Sequence, residues 1–109
     1  MAHVDDEEAI TILEPHVADA IGRVVGNRFS TKALIEALRA GEAGGRAYEQ
    51  AIASIRDEAG SEHMAKLVIH GQVIPGLLRR SPMVRFAGFI PGNPDEDDGF
   101  AVPSWWRKV

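Results

Sequence analysis

The chain has 109 residues, which suits a single domain over 1–109, and 45% of them are hydrophobic and 26% charged, as in ordinary globular proteins. No run of about 18 apolar residues occurs, which excludes a transmembrane span, and the acidic start is unlike a secretory signal. The absence of cysteine excludes disulfides and thiolate metal sites and favours a cytoplasmic location.

The net charge of −4 is unevenly distributed along the chain. Residues 1–60 carry a charge of −5, whereas residues 61–92 carry +3. Residues 93–99 carry −4 and residues 100–109 carry +2. A nucleic-acid-binding face requires only local positive potential, so the second half of the chain is the part to search for one.

The first predicted element, within 5–27, is an amphipathic helix over about 6–25. Its apolar positions recur at three- and four-residue steps, which is typical of a helix that buries one face. Pro15 leaves two alternatives, one long kinked helix or a short first piece followed by a new helix that starts at Pro15. The apolar stripe consists of Ala9, Ile12, Leu13, His16, Val17, Ala20, Ile21 and Val24.

Three further helices are predicted before residue 81. The second begins at Ser30 or Thr31 as the N-cap and ends near Ala40, and the third covers about 46–59, after the glycine-rich segment 41–45. Gly60 ends the third helix and Ser61 caps the fourth, which runs from Glu62 to about Ile74. Pro75 then either kinks this helix or begins a last turn through Arg80. The inner face of the fourth helix is predicted to contain Met64, Leu67, Val68, Gly71, Ile74 and Leu78.

After residue 82 the apolar period changes from about 3.6 to 2, which predicts a β-hairpin. The first strand is expected over 84–90 and the return strand over about 100–107. Pro103 confines the return strand to a sheet edge. If the two strands pair, Arg85 and Arg107 come close together. The predicted fold class is therefore mostly α with a C-terminal β-hairpin.

This order of helices followed directly by a hairpin resembles the winged helix-turn-helix superfamily over residues 30–109. The direct connection of the helix end, Leu77-Leu78-Arg79-Arg80-Ser81, to a strand contributes to the resemblance. By this resemblance, helix 62–74 is the recognition helix, 84–107 is the wing, and the N-terminal helix is an addition to the common core. The implied function is that of a small DNA-binding protein, a transcriptional regulator, which binds double-stranded DNA.

The candidate DNA contacts fall into two groups. The exposed side of helix 62–74 offers polar groups that suit phosphates or base edges, and clustered arginines suit bidentate phosphate contacts. The first group comprises His63, Lys66, His70 and Gln72. The second group, a basic rim at the base of the wing, comprises Arg79, Arg80, Arg85, Arg107 and Lys108.

Candidate protein contacts lie at both ends of the chain. An added N-terminal helix often serves dimerisation in this superfamily, which points to a homodimer through Ile12, His16 and Ala20. Trp105 and Trp106 are adjacent, so in a strand they face opposite sides, and Trp105 is expected to face outward. The acidic segment 93–99 and the negative net charge favour an alternative function, a winged-helix adaptor that binds a protein partner.

Catalytic and metal-dependent functions are not expected, and no cofactor is implied. His63 and His70 are seven residues apart, which does not give the i, i+4 pair of a helical metal site. The acidic segment 93–99 fails the spacing of a calcium loop because Asp98 stands where glycine is required. No phosphate-binding loop and no nucleophile elbow occur.

Overall fold

The computed structural model of the protein describes residues 5–89 and 104–109. Three helices, α1 (Glu7–Arg23), α2 (Thr31–Ala40) and α3 (Glu42–Ala59), precede a composite helix over 62–80. The composite helix consists of α4 (Glu62–Val68), a π-helical turn (Ile69–Val73) and α5 (Ile74–Arg80). The described residues also form three strands, β1 (Arg28–Ser30), β2 (Val84–Phe89) and β3 (Ser104–Lys108). The molecule is mostly helical with a small antiparallel sheet, which confirms the predicted mixture of helices and a C-terminal hairpin.

Helix α1 continues through Pro15 without a break, so the one-helix alternative is correct. Pro15 is exposed, and the opposite face of the helix packs against α3. A proline on the outer face leaves this packing intact although it removes one backbone hydrogen bond. Five residues of the predicted stripe are buried, namely Ala9, Leu13, Val17, Ala20 and Ile21.

Helices α2 and α3 are joined more tightly than the glycine-rich segment indicates. The Ser30 hydroxyl accepts a hydrogen bond from the amide of Ala33 and so caps α2, as predicted. Helix α3 begins at Glu42 rather than near 46, so Gly44 lies inside its first turns. A Cβ atom at Gly44 would collide with the Leu38 carbonyl oxygen. The glycine here permits close helix approach rather than forming a loop.

The composite helix differs from the predicted fourth helix in which of its residues face the core. Its start is as predicted, with Gly60 at φ 103° and the Ser61 hydroxyl accepting from the Met64 amide. The amide of Ile74 then bonds to the carbonyl of Ile69, five residues back, which defines the π-helical turn ahead of Pro75. This wider turn inserts one residue and rotates the buried face.

The rotation corrects the predicted inner stripe of the composite helix. Met64 and Gly71 are exposed although both were placed inward. The buried face instead consists of Ala65, Val68, Ile69, His70, Val73, Ile74, Pro75, Leu77 and Leu78. Val68, Ile74 and Leu78 are buried as predicted. The π-helical turn shifts the phase at Gly71, whereas Met64 lies ahead of the turn in α4.

The sheet has the strand order β1-β3-β2, and both pairings are antiparallel. The pairing of β2 with β3 confirms the predicted hairpin, whereas β1 was not predicted. The prediction that the return strand lies at a sheet edge was wrong, because β3 is the central strand and β1 pairs with its other side; Pro103 lies outside the described residues. Between Phe86 and Gly88 the register shifts, and Gly88 takes a φ of 107°, which marks a β-bulge. Strand β1 is three residues long, too short to show a period of two.

The inner face of the sheet closes the hydrophobic core. Phe29 and Phe86 lie opposite Trp106 in the register, and Trp106 is completely buried. The indole N–H of Trp106 donates to the Thr31 hydroxyl at 2.8 Å, and this hydroxyl is also hydrogen-bonded to the Ser104 hydroxyl. These buried bonds fix β3 against the start of α2. Among the described residues, no helix is long and apolar enough to cross a bilayer.

Candidate nucleic-acid interface

The outer face of the sheet carries a row of three arginines. Arg107 of β3 lies opposite Arg28 of β1 on one side and opposite Arg85 of β2 on the other. Directly opposed residues of antiparallel strands project to the same face. All three residues are exposed. We call Arg28, Arg107 and Arg85 the arginine row; its Arg85–Arg107 pair was predicted and is confirmed.

The arginine row lacks neutralising carboxylates within the described part of the chain. The ion pairs found there are Arg23–Asp19 in α1 and Arg46–Glu42 and Arg56–Asp57 in α3. None of them includes a member of the row. Three like charges directly opposed across strands repel one another, so the row does not contribute to the stability of the sheet. An anion bound at this face would remove the repulsion.

Trp105 lies in β3 on the same face as Arg107, because the two residues are two positions apart. The guanidinium carbon of Arg28 is 4.9 Å from the centroid of the Trp105 ring, a cation–π contact. The indole N–H of Trp105 is shielded from solvent and has no hydrogen-bond partner in 5–89 or 104–109. Packing and the Arg28 contact therefore hold this ring, and the prediction that it faces the outer side agrees with its position.

Lys108 does not belong to the outer face. It lies opposite Val84 in the register, on the side of the sheet that faces the core. Its ammonium group donates to the Val24 carbonyl at 2.6 Å, just beyond the end of α1. A cation at that position compensates the carbonyls of a helix C-terminus. The prediction that Lys108 belongs to a basic rim is corrected, because this charge is already bound within the molecule.

Arg79 and Arg80 are exposed at the end of α5. Arg80 lines a groove of about 270 Å³ that also contains Glu14 of α1. A second concavity places Arg80 with Glu7 and Glu8 at the start of α1. Arg80 thus lies beside acidic residues of α1.

The composite helix has fewer exposed polar side chains than predicted. His63 and Gln72 are exposed and Lys66 is half-buried. His70, however, is only 5% exposed, and its Nε2 is 2.6 Å from the Tyr48 hydroxyl. Its placement on the outer face of helix 62–74 was wrong, because the π-helical turn rotates it into the core.

The predicted dimer contacts on α1 are only partly accessible. Ile12 and His16 are half-buried, whereas Ala20 is 0% exposed within the chain's own core. The prediction that Ala20 contacts a dimer partner was therefore wrong. Most of the apolar stripe of α1 is buried within the same chain, and the flank with Ile12 and His16 remains partly accessible.

Sequence reasoning missed two features of this region. Arg28 was assigned to the connection between two helices, although its neighbour Phe29 and the cap at Ser30 are compatible with a short strand. Phe86 and Phe89 were not considered as surface residues, yet they are 45% and 55% exposed on the edge strand β2. Their rings contact each other edge-to-face with centroids 5.0 Å apart. Strand pairing, which a local pattern does not specify, creates both features.

No group of three potential metal-ligating side chains occurs among the residues that the structure describes. The acidic segment 93–99, for which calcium binding and wing contacts were considered, lies outside those residues. Comparison of the chain with protein-family models, with curated proteins and with solved structures gives no match.

Proposed function

We propose that the protein is a small winged-helix DNA-binding protein that regulates transcription. The order of three helices, a composite helix and a hairpin supports this assignment, since it follows the order of elements in the winged helix-turn-helix superfamily. The composite helix stands at the recognition-helix position and β2 and β3 form the base of the wing. The ligand is double-stranded DNA, bound mainly through its phosphates.

The arginine row is the observation on which the proposal depends. Arginine suits phosphate recognition because its planar guanidinium donates two parallel hydrogen bonds to an anion. Three exposed guanidiniums on one sheet face create a local positive potential on a chain whose net charge is −4. Local potential of this kind is sufficient for phosphate binding.

The composite helix contributes the remaining contacts in this proposal. His63 and Gln72 are exposed and can approach base edges, and Lys66 can reach a phosphate with its flexible side chain. His70 is excluded from base contact by its burial. With so few base-reading groups, we expect modest sequence discrimination and a large phosphate contribution to affinity.

The first prediction concerns the double variant Arg85→Ala/Arg107→Ala. It should weaken binding of a 20-base-pair duplex roughly tenfold or more, because two charge-assisted phosphate contacts are lost. It should also reduce the slope of log K against log salt by about 1.8. Fluorescence anisotropy over a salt series measures both quantities.

The matched control is Arg46→Ala/Arg56→Ala, which removes the same charge from helical positions with ion pairs to Glu42 and Asp57. We expect this control to bind the duplex almost as wild type does. Equal binding by the Arg85/Arg107 variant and wild type would refute the arginine row as the DNA contact. Absence of wild-type binding at low salt would refute the DNA-binding function.

A protein-binding adaptor is the second candidate, and the exposed aromatic pair on β2 favours it. Phe86 and Phe89 lie on an edge strand, where a partner can pack against rings or pair with the backbone. Retention on heparin at low salt distinguishes the two functions. A DNA-binding protein with this row should be retained, whereas flow-through would favour the adaptor.

A further inference from the structure

The arginine row violates a rule of sheet pairing in a way that points to a ligand. Like charges directly opposed on adjacent strands are unfavourable, and here the same charge occupies one row on all three strands. Departures from local rules of this kind are expected at functional sites. Among residues 5–89 and 104–109, no carboxylate forms an ion pair with these arginines, and a bound anion would compensate the charge of the row.

The spacing of the row matches a linear polyanion better than a single ion. Neighbouring strands lie about 4.8 Å apart, so the Cα atoms at the two ends of the row are separated by roughly 10 Å. The charges of one DNA strand advance about 3.4 Å each along the helix axis. Because the backbone also winds around that axis, consecutive phosphates lie farther apart than this rise. The row therefore spans two phosphates of the same strand, and the long arginine side chains can extend to a third.

One end of the row is held in place by an aromatic ring. Arg28 rests over Trp105, with 4.9 Å between the guanidinium carbon and the ring centroid. Stacking on an aromatic face restricts the long arginine side chain while leaving its outward N–H groups able to donate. A side chain that is already ordered loses less conformational entropy when it binds.

We infer that Trp105 is a positioning residue for phosphate recognition: it fixes Arg28 so that the arginine row binds consecutive phosphates of one DNA strand. This inference rests on the proposed DNA-binding function. Trp105 itself contributes no charge to the interface. Its effect should therefore appear in affinity and not in the number of phosphates neutralised.

A double-mutant cycle with Trp105→Leu and Arg28→Lys tests the inference by duplex titration over a salt series. Trp105→Leu should weaken binding roughly two- to fivefold, the range of an exposed cation–π contact, with an unchanged salt slope. Arg28→Lys keeps the charge but loses the stacked planar group, so it should show a similar loss. The combined variant should bind about as weakly as Arg28→Lys alone, because Trp105 acts only through the Arg28 guanidinium.

Trp105→Phe keeps an aromatic face and should bind within about twofold of wild type. Thermal melting monitors folding of each variant. If Trp105→Leu does not fold, the affinity of Arg28→Lys is the test, because this substitution keeps the charge and lies at an exposed position. Wild-type affinity of Arg28→Lys overturns the inference. Independent, multiplying effects of the two substitutions also overturn it.

The outcomes separate this inference from the proposed function. If Arg85→Ala/Arg107→Ala weakens binding and lowers the salt slope while Trp105→Leu and Arg28→Lys bind as wild type, DNA binding stands and only the positioning role is overturned. If the wild-type protein does not bind the duplex, the proposed function fails and the inference fails with it.

Discussion

Tyr48 and His70 form a buried polar pair between α3 and the π-helical turn. The Tyr48 hydroxyl is 2.6 Å from Nε2 of His70, and their rings meet edge-to-face at 5.7 Å. The guanidinium of Arg39 lies over the outer face of the Tyr48 ring, 4.6 Å from its centroid. Because a buried imidazole requires hydrogen-bond partners, the hydroxyl helps to hold the turn in its π-helical form.

Replacing Tyr48 by Phe tests this role at the scale of one hydroxyl. We expect the free energy of unfolding to fall by roughly 1–3 kcal/mol, because a buried ring nitrogen loses a partner. Urea denaturation followed by circular dichroism gives the value.

Thr11→Val is the matched control for Tyr48→Phe, since the Thr11 hydroxyl bonds to the Glu7 carbonyl at an exposed site. Its loss should cost less than about 0.5 kcal/mol. Equal effects of the two substitutions would show that the Tyr48–His70 hydrogen bond contributes no more to the free energy of unfolding than an exposed one.

At the scale of elements, the connection between α2 and α3 depends on the absence of a side chain at Gly44. An added Cβ would meet the Leu38 carbonyl, which belongs to the backbone and cannot move aside like a flexible side chain. Gly22 offers the opposite case, because a Cβ there meets nothing within 4 Å. Glycine is therefore required by close packing at Gly44 but not at Gly22.

Gly44→Ala should destabilise the protein by roughly 1–3 kcal/mol, since the helices must separate or bend to admit the methyl group. Gly22→Ala should be neutral or should stabilise by up to about 1 kcal/mol, because alanine favours the helix. Thermal and urea unfolding of both variants measures the difference. The same sign of change in both would contradict the tight junction between α2 and α3.

At the scale of the whole molecule, the proposed DNA binding through the positive sheet face should be sensitive to salt. Three phosphates neutralised by one arginine row give a slope of log K against log salt of about −2.7. The affinity should then fall roughly 40-fold between 50 and 200 mM salt. The proposed homodimer through α1 would present two rows to the DNA and a slope of about −5.4.

Sedimentation velocity from low to high micromolar concentration, combined with the measured slope, separates these assemblies. A dimer and a slope near −5 would support association through the flank of α1 at Ile12 and His16. A monomer throughout would remove that proposal, in keeping with the burial of Ala20. A slope near zero would exclude phosphate contacts by the arginine row in either assembly.

Local chemistry alone predicted much of the architecture. The cap at Ser30, the stop at Gly60 with Ser61 after it, and the alternation after residue 82 are signals within a few neighbouring residues, and each produced the expected element. Arg85 was expected beside Arg107 because a hairpin between neighbouring strands fixes their register. These features follow from backbone preferences and hydrophobic period.

Which residues come together at the candidate site was decided only by the tertiary structure. Strand β1 exists because β3, at the far end of the chain, supplies its hydrogen-bond partners, and this pairing brings Arg28 into line with Arg107 and onto Trp105. The π-helical turn carried His70 inward, and the end of α1 bound Lys108. The sequence by itself determined the helices and the two hairpin strands, but not β1, since short-range interactions specify those elements. Long-range pairing and packing determined which charges share a face, because their energies depend on residues that are distant along the chain.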